Sequence, residues 1–145
     1  MKYLRFNIDW NKQHRFTTAQ LICAGYLMFL CMVIALKNMN MGNSVFGLLH
    51  GIPHIDKAGH FFLYGLLTYL LSFALKHRSF QLMTIRIPLA PVIMLIATFM
   101  EECSQISQEF RTFSLLDMLA NAMGIVCFSI LAIPFTRKRH QKVDL

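Results

Sequence analysis

Charge is scarce in this chain. Only 14% of its 145 residues are Asp, Glu, Lys or Arg, where a soluble domain carries about 25%. Hydrophobic residues make up 56% and the mean hydropathy is +0.50, which is too apolar for an ordinary soluble domain of this length. Several other things are missing. There is no internal repeat and no low-complexity segment. No H-E-x-x-H, G-x-S-x-G or phosphatase signature occurs, so no named catalytic class is indicated, and nothing signals a cofactor. The four cysteines have neither disulfide-framework nor zinc-knuckle spacing. Cys23, Cys31 and Cys127 lie in apolar runs and Cys103 directly follows Glu101-Glu102, so all four read as packing residues, with Cys103 the candidate for reactivity. A net charge of +7 might point to nucleic acid, but the basic residues form no patch with interleaved aromatics, which excludes that partner.

What the chain has is four apolar runs. A bilayer core of about 30 Å asks for about 20 helical residues from each, and four such spans use most of the sequence. The spacing predicts an all-α four-helix transmembrane bundle with spans at about 17–36, 55–75, 85–105 and 115–135. A basic cytoplasmic or interfacial tail (1–16) precedes a membrane domain (17–136), and a second basic cytoplasmic tail (137–145) follows it. The first span reads as a retained anchor, because it is too long for the apolar region of a cleaved secretory signal. Lys and Arg set the orientation. Eleven of the fourteen flank one side: Lys2, Arg5, Lys12 and Arg15; Lys76, Arg78 and Arg86; and Arg137, Lys138, Arg139 and Lys142. Only Lys37, Lys57 and Arg111 fall on the other, so both termini are expected in the cytoplasm. Phe6, Trp10 and Phe16 suit a segment lying on anionic headgroups. Between the first two spans, Val45 to Leu49 is expected to graze the outer interface.

The polar residues within the spans are informative. The apolar part of span three, Ile87 to Met100, rises only about 21 Å as a helix and must continue outward, drawing Glu101, Glu102 and Gln105 to membrane level. Pro88 and Pro91 fall in its first turns, where a missing amide donor costs least. Span four reaches full length only with Asp117 and Asn121 in its first two turns. Span two starts with Asp56, Lys57, His60 and Tyr64. Alternating topology brings the start of span two, the end of span three and the start of span four to one side. Asp56, His60 and Tyr64 are successive i, i+4 neighbours with Lys57 beside His60, and Glu102 and Glu101 reach Gln105 at i+3 and i+4. Asp117, Asn121 and Gly124 form one stripe, ending in a residue that permits close helix approach. Ionisable groups at that depth cost several kcal/mol unless paired or wetted, which makes them candidates for a functional site. The same residues, with Arg111 against Glu102 or Asp117, would equally serve as a clamp between helices.

The run Asp56-Lys57-Ala58-Gly59-His60-Phe61-Phe62-Leu63-Tyr64 resembles the D-K-x-x-H-F-x-x-Y element of the VanZ-like membrane proteins. Glu102, Gln105, Arg111, Asp117, Asn121 and Gly124 resemble that family's E-x-x-Q, R, D-x-x-x-N-x-x-G element. Together the two cover most of residues 53–128. One departure is Glu109-Phe110, where members often carry a Pro-Gly turn before the arginine. The family is named for a protein associated with resistance to the lipid-tailed glycopeptide teicoplanin, and the resemblance implies a bacterial cytoplasmic membrane protein with an envelope role.

Three functions are open at this point. The first reading is a module recognising an outer-leaflet amphiphile, such as a lipid headgroup, a cell-wall lipid intermediate or a lipoglycopeptide. Its binding residues would be Asp56, Lys57, His60, Tyr64, Glu102, Gln105, Arg111, Asp117 and Asn121. Lys57, His60, Arg111 and the amino-terminal ends of spans two and four suit an anionic group. Against this, Asp56, Glu101, Glu102, Glu109 and Asp117 outnumber the cations of that side. The second reading is an intramembrane enzyme acting on a lipid-linked substrate. Glu102 or Asp117 would be its base, His60 its acid or base, and Arg111 would stabilise negative charge. The third is a structural or partner-binding protein whose polar cluster is a folding clamp. No metal and no cofactor are expected, since a lone histidine among carboxylates is weak evidence for a metal.

Overall fold

The structure is a computed structural model that describes residues 4–5, 17–38, 54–106 and 114–140, with side chains described for 17–37, 54–106 and 114–133. Among the described residues there are four helices: α1 (Thr18–Asn38), α2 (Ile55–Ala74), α3 (Leu89–Gln105) and α4 (Leu115–His140). By length and composition α1, over Thr18–Lys37, and α4, over Leu115–Ile133, are long and apolar enough to cross a membrane. The helical class follows from the apolar runs. Strands β1 (Leu4–Arg5), β2 (Ser79–Leu82) and β3 (Ile85–Pro88) add a small antiparallel sheet in the order β1-β2-β3.

The sheet corrects one boundary. Residues 85–88, expected to open the third helix, pair as a strand instead, Ile85 opposite Leu82 and Ile87 opposite Phe80. Two local effects favour this outcome. Ile85 and Ile87 are β-branched and alternate with Arg86, and the ring of Pro88 pushes Ile87 away from helical geometry. Pro88 takes extended angles (φ −62°, ψ 139°) as the residue that caps α3, and Pro91 falls in the helix's first turn. The helix is therefore 17 residues long. At the other extreme α4 runs on to His140, past the expected start of the carboxyl-terminal tail. Phe6, Trp10, Phe16, the stretch Val45 to Leu49, Glu109 and Arg111 lie outside the described residues.

The chain's two poles are distinct. β1 pairs with β2, Leu4 opposite Leu82, which joins the amino-terminal segment to the α2–α3 connection. A cavity of about 400 Å³ brings together the end of α2 (Ser72, Leu75), the connection (His77, Arg78, Arg86) and the last described turns of α4 (Ser129, Ala132, Ile133). At the opposite pole lie the start of α2, the end of α3 and the start of α4.

α2 is the hub, packed most extensively on α4 and also on α1 and α3. Two glycines set its separation from α4. A methyl group on Gly124 would lie 2.2 Å from the backbone oxygen of Phe61, and one on Gly65 would meet the ring of Phe128 at 2.5 Å. Only hydrogen fits at Gly124, so the two backbones are in contact there. The ring of Phe61 packs edge-on to Phe128. On the other side of α2, Cys23 and Leu30 of α1 join Leu67, Met94 and Ile125 in the core, and the hydroxyl of Tyr26 donates to the backbone oxygen of Leu63 at 3.2 Å.

Polarity is inverted relative to a soluble helical protein. The buried residues of α3 are Ala90, Met94, Thr98, Glu102 and Gln105, while Ile93, Leu95, Ile96, Phe99 and Met100 face outward. α4 likewise turns Leu116, Leu119, Met123, Val126 and Ile130 out and buries Asn121. Within α2, Thr68 and Ser72 are buried, with hydroxyls bonded to the carbonyls of Tyr64 and Thr68, one turn back. Such bonds satisfy a hydroxyl without any partner helix.

Candidate functional site

α2 contributes the first half of the site. In the first turn of the helix, Asp56 is exposed and joins Lys37 at the end of α1 in an ion pair. One turn further, His60 is 6% exposed, and Tyr64 follows with its ring stacked on the imidazole at 5.8 Å. The i, i+4 spacing aligns all three along the helix, with His60 and Tyr64 directed at α4 and α3 and Asp56 at the exposed edge.

α4 contributes the second half. Ser114 precedes the helix, and its Oγ accepts the amide of Asp117 at 3.3 Å, the bond expected of an N-cap residue. Asp117 thus sits in the first turn, where a carboxylate is favoured by the helix dipole, and one of its oxygens, Oδ1, accepts from Lys57 Nζ at 3.2 Å. The other, Oδ2, lies 4.0 Å from His60 Nε2. On the next turn Asn121 is 1% exposed, and its Oδ1 lies 3.1 Å from His60 Nδ1. The close approach at Gly124, one turn further on, makes these short distances between α2 and α4 possible.

α3 supplies two adjacent carboxylates with different surroundings. Glu101 accepts from the Tyr64 hydroxyl at 3.2 Å and from Gln105 Nε2 at 2.7 Å. Glu102 is fully buried. Its Oε2 has a long contact of 3.5 Å with the Ser114 amide. Its Oε1 has no hydrogen-bond partner among the described residues, and neither has Asn121 Nδ2. Leaving such a group unsatisfied costs about 1–3 kcal/mol, more for a charged one.

Eight of the nine candidate binding residues are described, and they meet at one pole: Asp56, Lys57, His60, Tyr64, Glu102, Gln105, Asp117 and Asn121. Arg111 lies outside the described residues. Of the two expected partners of Gln105, Glu101 at i+4 is the one bonded. Two pairings differ from the expected ones: Lys57 reaches across to Asp117, and Lys37 completes the ion pair of Asp56. Sequence reasoning did not single out Lys37 or Ser114. For Ser114 a signal existed, since S-x-x-D ahead of an apolar run is an N-cap pattern; for Lys37 there was none, because its partner lies across a long connection. Cys103 is exposed, as are Cys31 and Cys127, whereas Cys23 is buried.

Chemically, this is a cluster of carboxylates around one imidazole, with two ammonium groups on its rim and uncharged donors and acceptors within. It can bind a cation, or a polar headgroup carrying both charge and hydroxyls. It also has the parts of an acid–base pair. Compared with known proteins, the chain matches no protein-family model, no curated protein and no solved structure at a significant level.

Proposed function

We propose that the chain is a VanZ-like multi-pass protein of the bacterial cytoplasmic membrane that binds the headgroup of an envelope amphiphile through the polar cluster at its extracytoplasmic pole. In this reading all four helices cross the bilayer and both termini are cytoplasmic. The inverted polarity supports it, since Leu, Ile, Phe and Met residues facing outward from every helix are stable only in contact with lipid or partner protein. At 17 residues, α3 rises about 26 Å. It spans a core of about 30 Å with help from the strand that precedes it and from local bilayer thinning. β1 lies beside the α2–α3 connection, which agrees with the amino terminus and that connection sharing the Lys/Arg-rich side.

The observation that carries the binding reading is a pair of buried atoms without a partner among the described residues, Glu102 Oε1 and Asn121 Nδ2. A cluster selected only to clamp helices would satisfy its own polar atoms, because each one left unpaired subtracts from the stability it is meant to supply. A cluster that receives a ligand keeps atoms in reserve. The resemblance supplies the ligand class: a lipid headgroup, a cell-wall lipid intermediate or a lipoglycopeptide such as teicoplanin.

The test is retention of lipid by protein purified from bacterial membranes. Native mass spectrometry of the wild type is expected to show a bound envelope lipid or lipid-linked intermediate. The conservative variants Glu102→Gln, Asp117→Asn and His60→Ala should lose it while their membrane levels and melting in detergent stay near those of the wild type. Variants that vanish from the membrane or melt far lower would establish the clamp. Conversion of the bound lipid on incubation would establish acid–base catalysis by His60, Glu102 and Asp117.

A further inference from the structure

The carboxylates of Asp56 and Asp117 are arranged alike. In each, Oδ1 is engaged by a lysine, Lys37 for Asp56 and Lys57 for Asp117. In each, the second oxygen is turned toward the same atom, His60 Nε2, at 3.9 Å from Asp56 and 4.0 Å from Asp117. The imidazole is held on its far side by Asn121 Oδ1 at 3.1 Å. With the Nδ1 proton on that oxygen, Nε2 presents a lone pair to the two carboxylates. One ligand atom from each of Asp56, His60 and Asp117 lies within 4.8 Å of the other two.

We propose that Asp56, His60 and Asp117 form a site for a divalent transition-metal ion of the zinc type, through which the chain holds an anionic oxygen of its headgroup ligand. Donors of one tetrahedral zinc ion sit about 3.3–3.5 Å apart, given bonds of about 2.0–2.2 Å. The three donors therefore need to close by up to about 1.5 Å, which rotation of two aspartate side chains accomplishes. Each donor already has the outer partner that metal ligands use to fix orientation: a lysine for each carboxylate and an amide oxygen for the imidazole. Three protein ligands leave a fourth position open, and the 50% exposure of the Asp56 side chain places it on the accessible side of the site.

Glu102 points to a cation independently. Its buried carboxylate has one oxygen unpartnered among the described residues, and the other reaches Ser114, the residue that caps the turn carrying Asp117, so positive charge beside Asp117 stabilises it. The ion also removes a conflict. Four described carboxylates, Asp56, Glu101, Glu102 and Asp117, face two described lysines, Lys37 and Lys57, and such a site repels a bare phosphate. With a metal bound, the same acids hold the ion and the ion holds the phosphate.

Whether the ion binds does not depend on the headgroup reading; what the ion does there rests on it. Purified full-length protein in nanodiscs, stripped with chelator, is titrated with Zn²⁺ alone and the bound metal is counted by elemental analysis. About one tightly held equivalent is expected, with a rise in melting temperature. It should be lost in His60→Ala and weakened at least tenfold in Asp117→Asn and in Asp56→Asn, whose exposed position makes it the variant safest for folding. Co²⁺ in place of Zn²⁺ should give visible absorption bands of a tetrahedral nitrogen–oxygen site that Asp56→Asn alters. Absence of saturable Zn²⁺, or equal stoichiometry in His60→Ala and Asp56→Asn, would overturn the site. Lipid retention unchanged after metal removal would overturn the ion's role while sparing the headgroup reading. Bound Zn²⁺ with no lipid retained in any metal state would sink the headgroup reading and spare the site.

Discussion

Replacing Gly124 with alanine tests whether the α2–α4 contact determines both stability and site geometry. The new methyl carbon would fall 2.2 Å from the Phe61 carbonyl oxygen and 2.9 Å from its carbonyl carbon. Both are backbone atoms of a helix, so no side chain can rotate out of the way. Restoring an acceptable contact requires the helices to part by about 1 Å at this level. Overpacking of this kind costs about 1–3 kcal/mol. The same displacement would stretch the 3.1 Å separation of His60 and Asn121 to about 4 Å, beyond hydrogen bonding, at about 1 kcal/mol more. Alanine returns about 1 kcal/mol in helix propensity. The net expectation is a loss of about 1–3 kcal/mol. Three other glycines calibrate the series. Gly25 and Gly59 would meet nothing within 4 Å, so alanine there should be neutral or stabilising by up to about 1 kcal/mol. Gly65 faces chiefly the ring of Phe128, which can turn, and should fall between. Reversible unfolding in mixed micelles gives the ordering. The reasoning is refuted if Gly124→Ala is as stable as Gly59→Ala, or if it is destabilised while lipid and Zn²⁺ binding at the site are untouched.

Glu102→Met replaces a buried carboxylate, poorly bonded, with a side chain of similar length, and ligand-free protein should gain about 1–3 kcal/mol while losing ligand retention; a lower unfolding free energy would show that the carboxylate holds the bundle together. Ser114→Ala removes one of the two acceptors of the Asp117 amide, leaving the Ser114 carbonyl, and should cost up to about 1 kcal/mol, visible as faster hydrogen exchange in the first turn of α4. Met83 occupies the turn between β2 and β3 at φ 55°, so Met83→Gly should stabilise the hairpin by about 1 kcal/mol, and equal or lower melting would contradict that. A reporter fused after Lys142 should be active only in its cytoplasm-sensing form; periplasmic activity would reverse the proposed orientation.

The helices were legible because apolar runs bounded by charge leave little alternative to helix, and alternation of direction was enough to expect three helix ends at one pole. The close approach at Gly124 was legible from its place on the Asp117–Asn121 stripe. The hairpin was not. Four residues of Ile-Arg-Ile-Pro read as well at the start of an apolar helix as in a strand, and only pairing with Ser79–Leu82 decides between them. The division of labour between Glu101 and Glu102 was also illegible, because adjacent residues lie about 100° apart around a helix. Rotation of α3 by part of a turn exchanges their surroundings, and that rotation is set by how Thr98 and Met94 pack. Lys57 illustrates the same limit: its spacing placed it beside His60, but a long side chain reaches whichever carboxylate the neighbouring helix offers.

The energetics of the polar pole follow from its neighbours. Close backbone packing at Gly124 fixes α2 against α4 one turn below His60 and Asn121, so these two side chains cannot drift apart to find solvent or other partners. The same rigidity limits how far the bundle can relax around Glu102 Oε1 and Asn121 Nδ2, both without a partner among the described residues. Close packing and polar groups therefore belong to different layers of the same helices: the layer at Gly124 and Gly65 supplies close packing, and the layer above it holds the buried Glu102 and Asn121. If that division is real, substitutions in the lower layer should disturb both properties, while substitutions of Glu102 or Asn121 should separate them.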